Sequence, residues 1–461
     1  MKLSIEKQKA QSIKHKALGG SLRAGLYAAS PRAIAQKPAR LWAFRFYPCR
    51  SVVLVIMFLI LSIQSHSQVI SLDSVLALID KQNPMLQEYD NKVKALEAYT
   101  EGAKSWMAPM VGIGPYWYPY PGQMIMDERD KGMFMATIEQ DIPNPAKLNA
   151  KRNYFASRAS VEEQGRAVQY NTLRAEAKSF YYQWLVSEKK LEVLKENERI
   201  MELMLKLARI RYPYNQGSLG NIYKAEGRLY EVQNMQLMTN AEIDESSFRL
   251  KTLMNLPVTD SIMVDTAITV GFQPDRIIYD TAALSDQRSD VKQINETIEV
   301  MRLNQQLQRL QAKPDFRIRF EHMQPRGEGM PTQFSAMAMI SIPIAPWSSK
   351  MYKSEVKGMG YDIEAMKKGR EALLIEARGM LAGMAAQLTR MQQQLENYET
   401  KIIPALRKNY ETLMLAYEEN REQLPIVIDG WEALNMAQME YLNNLEEYYT
   451  MIVSYEKELE K

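Results

Sequence analysis

The same succession of segments is written twice along this chain, and that repetition limits what it can fold into. Each time, about 25–35 residues of helical spacing lead into two short alternating stretches, and these lead into a helical run too long for an ordinary domain. The first pair of stretches lies near 106–143 and the second near 314–346. Four strands cannot close a barrel, so a barrel built from this chain must be shared between copies. The fold expected is mainly α with a small β part, as two structural repeats of helix, strand, strand and long helical hairpin. The bounds read from the sequence are a basic extension and signal peptide over 1–67 and a first repeat over 68–257, with its hairpin at 146–256. A connector over 258–283 and a second repeat over 284–461, with its hairpin at 347–461, complete the chain.

The long helices follow from spacing. Between Pro145 and Pro213 there is no proline. Within that run Leu173, Ala177, Phe180, Trp184, Leu191, Leu194, Met201, Leu205 and Ala208 alternate by four and three, with Ser187 and Glu198 as polar interruptions. Such heptad spacing specifies a helix packed lengthwise on others. Roughly 65 residues at 1.5 Å each give about 100 Å. A turn is expected at Gly217-Ser218-Leu219-Gly220, with a return helix through Ile222, Ala225, Leu229 and Val232 to about Leu256-Pro257. In the second half, Arg288-Ser289-Asp290-Val291 opens a helix ending near Ala312, and a long helix runs from Pro346 to about Ile402. Pro404 is placed at the start of a further helix, because an interior proline costs about 3 kcal/mol. The second hairpin turn falls near Gln423-Leu424-Pro425.

The short stretches read as membrane-barrel strands. In Asp315–Glu321, Phe316, Ile318 and Phe320 alternate with Asp315, Arg317, Arg319 and Glu321. One face is apolar and the other charged, which suits lipid outside and water inside and makes Arg317, Arg319 and Glu321 lumen candidates. The aromatic run Tyr116-Trp117-Tyr118-Pro119-Tyr120 fits a membrane interface. Two copies would give eight strands and a filled interior, whereas three give twelve and a water-filled bore, so a homotrimer is expected.

Residues 1–50 carry eleven Lys/Arg against one acid, Glu6, and removing that excess of ten takes the net charge from +3 to −7. A mature chain of that charge is not built for nucleic acid. Ser51–Ile63 is apolar, follows Arg50, and is followed by Ser65-His66-Ser67. Its thirteen residues fall short of the about 20 that a transmembrane helix needs, and the pattern fits a secretory signal cleaved after Ser67. Cys49 precedes the apolar stretch, so the mature chain has no cysteine and one histidine, His322. Disulfides and thiol nucleophiles are thereby excluded, a His/Cys zinc site is disfavoured, and no enzyme or cofactor motif is present.

Several segments together resemble the TolC family of outer membrane efflux factors, over nearly all of 70–460. SLDSVLALIDKQNP resembles that family's first helix, including Asn83-Pro84, and RSDVKQINETIEVMRLN resembles the opening of its second repeat, with Val291 for leucine. SIPIAPWSSKMYKSEVK resembles the strand-to-helix exit, KIIPALRKNYETLMLAY the start of the penultimate helix, and RYPYNQGSLGNIYKAEGRL the hairpin tip. At the second tip Pro425 stands where the family usually has glycine.

The resemblance implies a trimeric 12-stranded β-barrel, four strands per chain, in outer membrane lipid on a long α-helical periplasmic tunnel. It also implies docking to a periplasmic adaptor and an inner membrane resistance–nodulation–division pump. It makes Gly217, Ser218, Leu219 and Gly220 the docking candidates at one tip and Leu424, Pro425 and Ile426 at the other. Glu422 and Asp429 flank the second tip, where three copies would form a ring of carboxylates able to gate or to select cations.

The chain looks closest to the copper/silver and cobalt–zinc–cadmium branch, and its 30 Met bear on cargo. Met133 with Met135, and Met337 with Met339, are i,i+2 pairs that share strand faces with polar residues. Soft thioethers favour Cu(I) and Ag(I), which makes these four residues candidate transit contacts. The alternative is that they fill apolar contacts or face lipid. Two other functions stay open: an outer membrane factor for drugs or type I protein export, and a structural periplasmic coiled coil without a pore.

Overall fold

The computed structural model of the protein describes residues 68–265, 270–274, 281–343 and 345–461. The basic extension, Cys49, the apolar stretch 51–63 and the cleavage site expected after Ser67 lie outside the described residues, as does part of the connector. The described chain begins with β1 (Gln68–Ile70), α1 (Leu72–Gln82) and α2 (Pro84–Gly102). Then come β2 (Met110–Tyr116), β3 (Met133–Ile142), α3 (Pro145–Arg211) and the return helix α4 (Leu219–Leu253). β4 (Ile262–Val264) and α5 (Thr281–Gln287) lead into α6 (Ser289–Arg309). Last are β5 (Asp315–Pro325), β6 (Gln333–Ser341), α7 (Pro346–Asn397), α8 (Ile403–Glu418) and α9 (Leu424–Leu459). Among the described residues no helix is long and apolar enough to cross a membrane.

Two Asn-Pro steps set where helices begin. Proline at the first helical position lacks only a donor that the helix start leaves unbonded anyway, and the preceding asparagine supplies the cap. Asn83 Oδ1 accepts from the Met85 N–H at 2.9 Å, and its Nδ2 donates to the Leu253 carbonyl at 2.8 Å. Asn144 repeats the device at Pro145, accepting from the Ala146 N–H at 3.0 Å and donating to the Pro314 carbonyl at 3.3 Å. Each cap therefore also ties a helix start to a segment about 170 residues away.

The 67 residues of α3 form one uninterrupted helix, about 100 Å at 1.5 Å per residue. Its heptad positions Leu173, Ala177, Trp184, Leu191, Leu194, Met201, Leu205 and Ala208 are buried, as are Ile222, Ala225, Leu229 and Val232 of α4 opposite. The polar interruptions are satisfied across the hairpin. Buried Ser187 donates to Glu242 at 3.2 Å, and Glu198 accepts from Gln233 and Gln236 at 2.9 and 2.8 Å. α3 also packs on α2, α6 and α9, while α7 packs on α6 and α9. One core gathers Val75, Ile79, Tyr181, Leu185, Leu250, Leu381 and Ile452, and a second, towards the hairpin tips, gathers Met201, Met204, Val232, Val427, Ile428 and Trp431.

Two expectations are corrected. The chain has six strands among its described residues, not four, because β1 and β4 pair in parallel from Gln68↔Ile262 to Ile70↔Val264. Three residues are too few to show an alternation. Buried Tyr181 of α3 fixes this pair in place, donating to the Ile70 carbonyl at 3.2 Å and accepting from the Asp265 N–H at 3.1 Å. The second correction is to the break before Pro404, not to its placement: Pro404 opens a further helix from Ile403 as expected, but the chain stays helical across Ile402. It continues from α7 through a five-residue π turn, Tyr398–Ile402, into α8, with Pro404 in the first turn of α8. A π turn absorbs the bond and the space that proline removes from the ladder, so the rod is kept.

Candidate functional site: the two-faced sheet and the hairpin tips

The larger sheet is antiparallel throughout, in the order β2-β3-β5-β6. The two strand pairs, far apart in sequence, join along β3 and β5 from Met133↔Pro325 to Ile142↔Phe316. β2 and β6 are the open edges. Among the described residues their outer bonds have no partner strand, a costly state in lipid.

Residues opposite one another across strands share a face. One face carries Val111, Ile113, Ile138, Phe316, Ile318, Phe320, Phe334 and Ile340, which are between 42 and 73% exposed. Phe320 stacks on Phe334 with centroids 5.9 Å apart. Apolar side chains this exposed on every strand form a belt, with His322 and Gln324 towards its outer end.

The opposite face is ion-paired. Arg317, Arg319 and Glu321 all lie on it, as the alternation predicts. Glu139 of β3 is 6% exposed and is held by both arginines, at 2.7 Å from Arg317 and 2.7 Å from Arg319. Arg317 also meets Asp141 at 2.6 Å. Glu139 and Asp141 are members of this network that the alternation in β5 alone does not reveal. Cross-strand register would have found them, and register depends on a pairing 180 residues apart.

The four candidate methionines are on this charged face too. Met339 is opposite Arg317, Met337 is opposite Arg319, and Met135 is opposite Met323. The structure does not bring the two pairs together as one cluster. Met337 lies level with Glu139, and Met135 is four residues further along β3, about 14 Å at 3.4 Å per residue. Among the described residues, no group of His, Cys, Asp and Glu is arranged to hold a metal ion.

The tips differ from one another. At the first, α3 runs out through Tyr212–Tyr214, Asn215 turns the chain at φ 56°, and Gly217 and Ser218 precede α4. Leu219 and Gly220 lie in the first turn of α4 and are exposed. At the second, Asn420 turns the chain at φ 63° and α9 starts at Leu424 with Pro425 in its first turn. Pro425 thus sits where proline favours a helix start. Leu424 is 2% exposed and packs into the tip core, so it anchors the turn, whereas Ile426 is 43% exposed. Asp429 pairs with Lys224 of α4 at 2.6 Å, and Glu422 accepts from the Gln423 N–H at 3.0 Å.

Further bonds tie one hairpin to the other. Arg211 donates to the carbonyls of Tyr417 and Glu418 at 2.7 and 3.0 Å and lies 4.1 Å over the Tyr417 ring. Arg228 pairs with Glu432 at 2.8 Å, and the Trp431 indole donates to buried Asn197 at 2.7 Å. Burial raises the Tyr417 phenol above its ordinary pKa despite the nearby Arg211, which lowers it.

A two-faced sheet joined to helical hairpins of this length has counterparts among solved structures. No protein-family model matches the chain, and no curated protein matches it in sequence. The VceC outer membrane protein of Vibrio cholerae superposes with a TM-score of 0.66 at 13% identity, over 84% of this chain and 95% of that one. The CmeC outer membrane channel of Campylobacter jejuni gives 0.67 at 13% identity, over 84 and 85%. CusC, described for its transmembrane channel formation, gives 0.68 at 12% identity, over 84 and 91%. The fold is that of these outer membrane channels.

Proposed function

We propose that this chain is the outer membrane channel of a tripartite efflux system, a passive duct closed by three copies. The observation that carries the reading is the sheet. Its exposed apolar belt suits lipid, its ion-paired face suits water, and its two open edges call for neighbouring strands. Twelve strands would close a bore, with Arg317, Arg319 and Glu321 lining it alongside Glu139 and Asp141. The long hairpins would carry the path through the periplasm.

Gly217, Ser218, Leu219 and Gly220, with Pro425 and Ile426, would meet a periplasmic adaptor and, through it, an inner membrane pump that supplies the energy. Glu422 and Asp429 would ring the inner end. Asp429 enters that ring already paired with Lys224, which leaves Glu422 to set its charge. The proposed cargo is a soft heavy-metal cation, a reading that rests on the resemblance to the copper/silver and cobalt–zinc–cadmium branch and on thioethers set along a water-suited face, not on a ligand set there.

The test is mass and conductance. Detergent-extracted protein should have three times the mature chain mass and open water-filled pores in planar bilayers. A soluble monomer without conductance would overturn the reading.

A further inference from the structure

A cavity of about 260 Å³ lies between α4 and α9, away from the sheet. Its lining includes three methionines, Met235 of α4 with Met436 and Met439 of α9. Trp431 and Asn435 share the α9 wall at i and i+4 from one another, and Met439 follows at i+8, so all three lie on one helix face. Asn435 is 8% exposed, and its Oδ1 has no hydrogen-bond partner. A buried acceptor left unbonded calls for a missing donor, a water or a cation. The charged lining is one arginine, Arg228, against Glu231, Glu432 and Glu440, an excess of two negative charges. Arg228 is committed to Glu231 and Glu432 at 2.6 and 2.8 Å.

We infer that this cavity is a binding site for a soft monovalent metal cation of the Cu(I) or Ag(I) type. Thioethers are neutral soft donors, which such cations accept and hard divalent cations do not. Met436, 64% exposed, stands on the solvent side, while Met235 and Met439 are partly buried against the tip core. The Asn435 oxygen supplies a harder donor within the same cavity. The Trp431 indole, held by Asn197, lines the same cavity and brings an aromatic ring next to the ion. The surplus carboxylates attract the ion without having to bind it. The site differs from the methionines of the sheet, which are spread over separate rows.

This inference deepens the proposed soft-metal cargo and rests on that reading only for its purpose. Its test is independent of transport. Full-length protein in detergent is dialysed against Ag(I) in chloride-free buffer, and bound silver is counted per chain. The triple variant M235L/M436L/M439L should bind about one silver ion fewer per chain than the unmodified protein. The sheet variant M133L/M135L/M337L/M339L should keep that ion. Silver should also change the indole fluorescence of the unmodified protein, and W431F should lose that change.

Equal silver on the unmodified protein and the triple variant would overturn the inference, as would loss of this ion in the sheet variant only. If the triple variant does not fold, the exposed single change M436L decides, with an expected loss of at least tenfold in affinity and no change counting against the site. A channel that conducts normally but lacks this silver ion would sink the site alone. Protein that binds silver here but does not conduct would sink the duct reading alone.

Discussion

Arg288 shows how one side chain can tie the middle of the chain to its last turns. It opens α6, is 8% exposed, and reaches Asp290 at 2.7 Å and Glu458 of α9 at 2.6 Å. Burial alone would lower its pKa, but these two carboxylates outweigh that and raise it. Next to it, the Ser289 N–H donates to Glu460 at 2.6 Å. Removing one partner of a buried pair leaves uncompensated charge, at a cost of about 3–5 kcal/mol. Arg288→Leu should therefore lower unfolding stability by about 3 kcal/mol, read from urea denaturation in detergent. Lys92→Ala, which breaks an exposed pair with Glu88, should leave the denaturation midpoint where it is.

A second prediction concerns Tyr182, whose phenol is pushed up to about 12, first by burial and then by Glu456. Its folded pKa is above the unfolded value of about 10, so the neutral phenol favours the folded state below pH 10. That contribution is lost as pH rises from 10 to 12. The melting temperature should fall across this window, and Tyr182→Phe should make the fall shallower. At this scale the sequence displays Arg288-Ser289-Asp290 as a helix opening but not its partners, because Glu458 and Glu460 are some 170 residues away.

At the scale of elements, legibility depended on length. α3 declared itself through eleven positions of four-three spacing, and its two polar exceptions turned out to be bonded across the hairpin. β1 and β4 did not, since three residues carry no period. Pro404 was visible as a local rule and does open α8, but the π turn that keeps the helix running ahead of it was not. The face assignment of β5 was legible, whereas its buried counter-charge on β3 was not. That face assignment carries a prediction. Ile318→Arg should cost roughly 2–4 kcal/mol if it lies near the bilayer midplane. Single cysteines at 317 and 318 should differ in labelling by a membrane-impermeant thiol reagent, with 317 labelled through the bore and 318 protected by lipid. Equal labelling would count against the two-faced sheet as a barrel wall.

At the scale of the whole molecule, cargo is decided by the side chains along the path, not by the fold. Inside a barrel wide enough to hold water, a duct gains little from binding what it conducts. The methionines on the sheet agree with that view, because the two pairs stand in rows about 14 Å apart and do not converge as one ligand set. Cells lacking this chain, with no redundant duct, should become sensitive to silver and copper salts but not to bulky organic toxins. Restoring the chain with Met133, Met135, Met337 and Met339 all changed to leucine should restore tolerance in full. Leucine keeps volume and apolarity at under about 1.5 kcal/mol per site, so the sheet should survive the exchange. Tolerance that falls while protein level holds would mean that the thioethers touch the ion in the bore. Unaltered metal tolerance in the strain lacking the chain would remove the metal cargo and leave the duct in place. The expected result, full tolerance with four leucines, would exclude the barrel sheet as the place where a metal is selected.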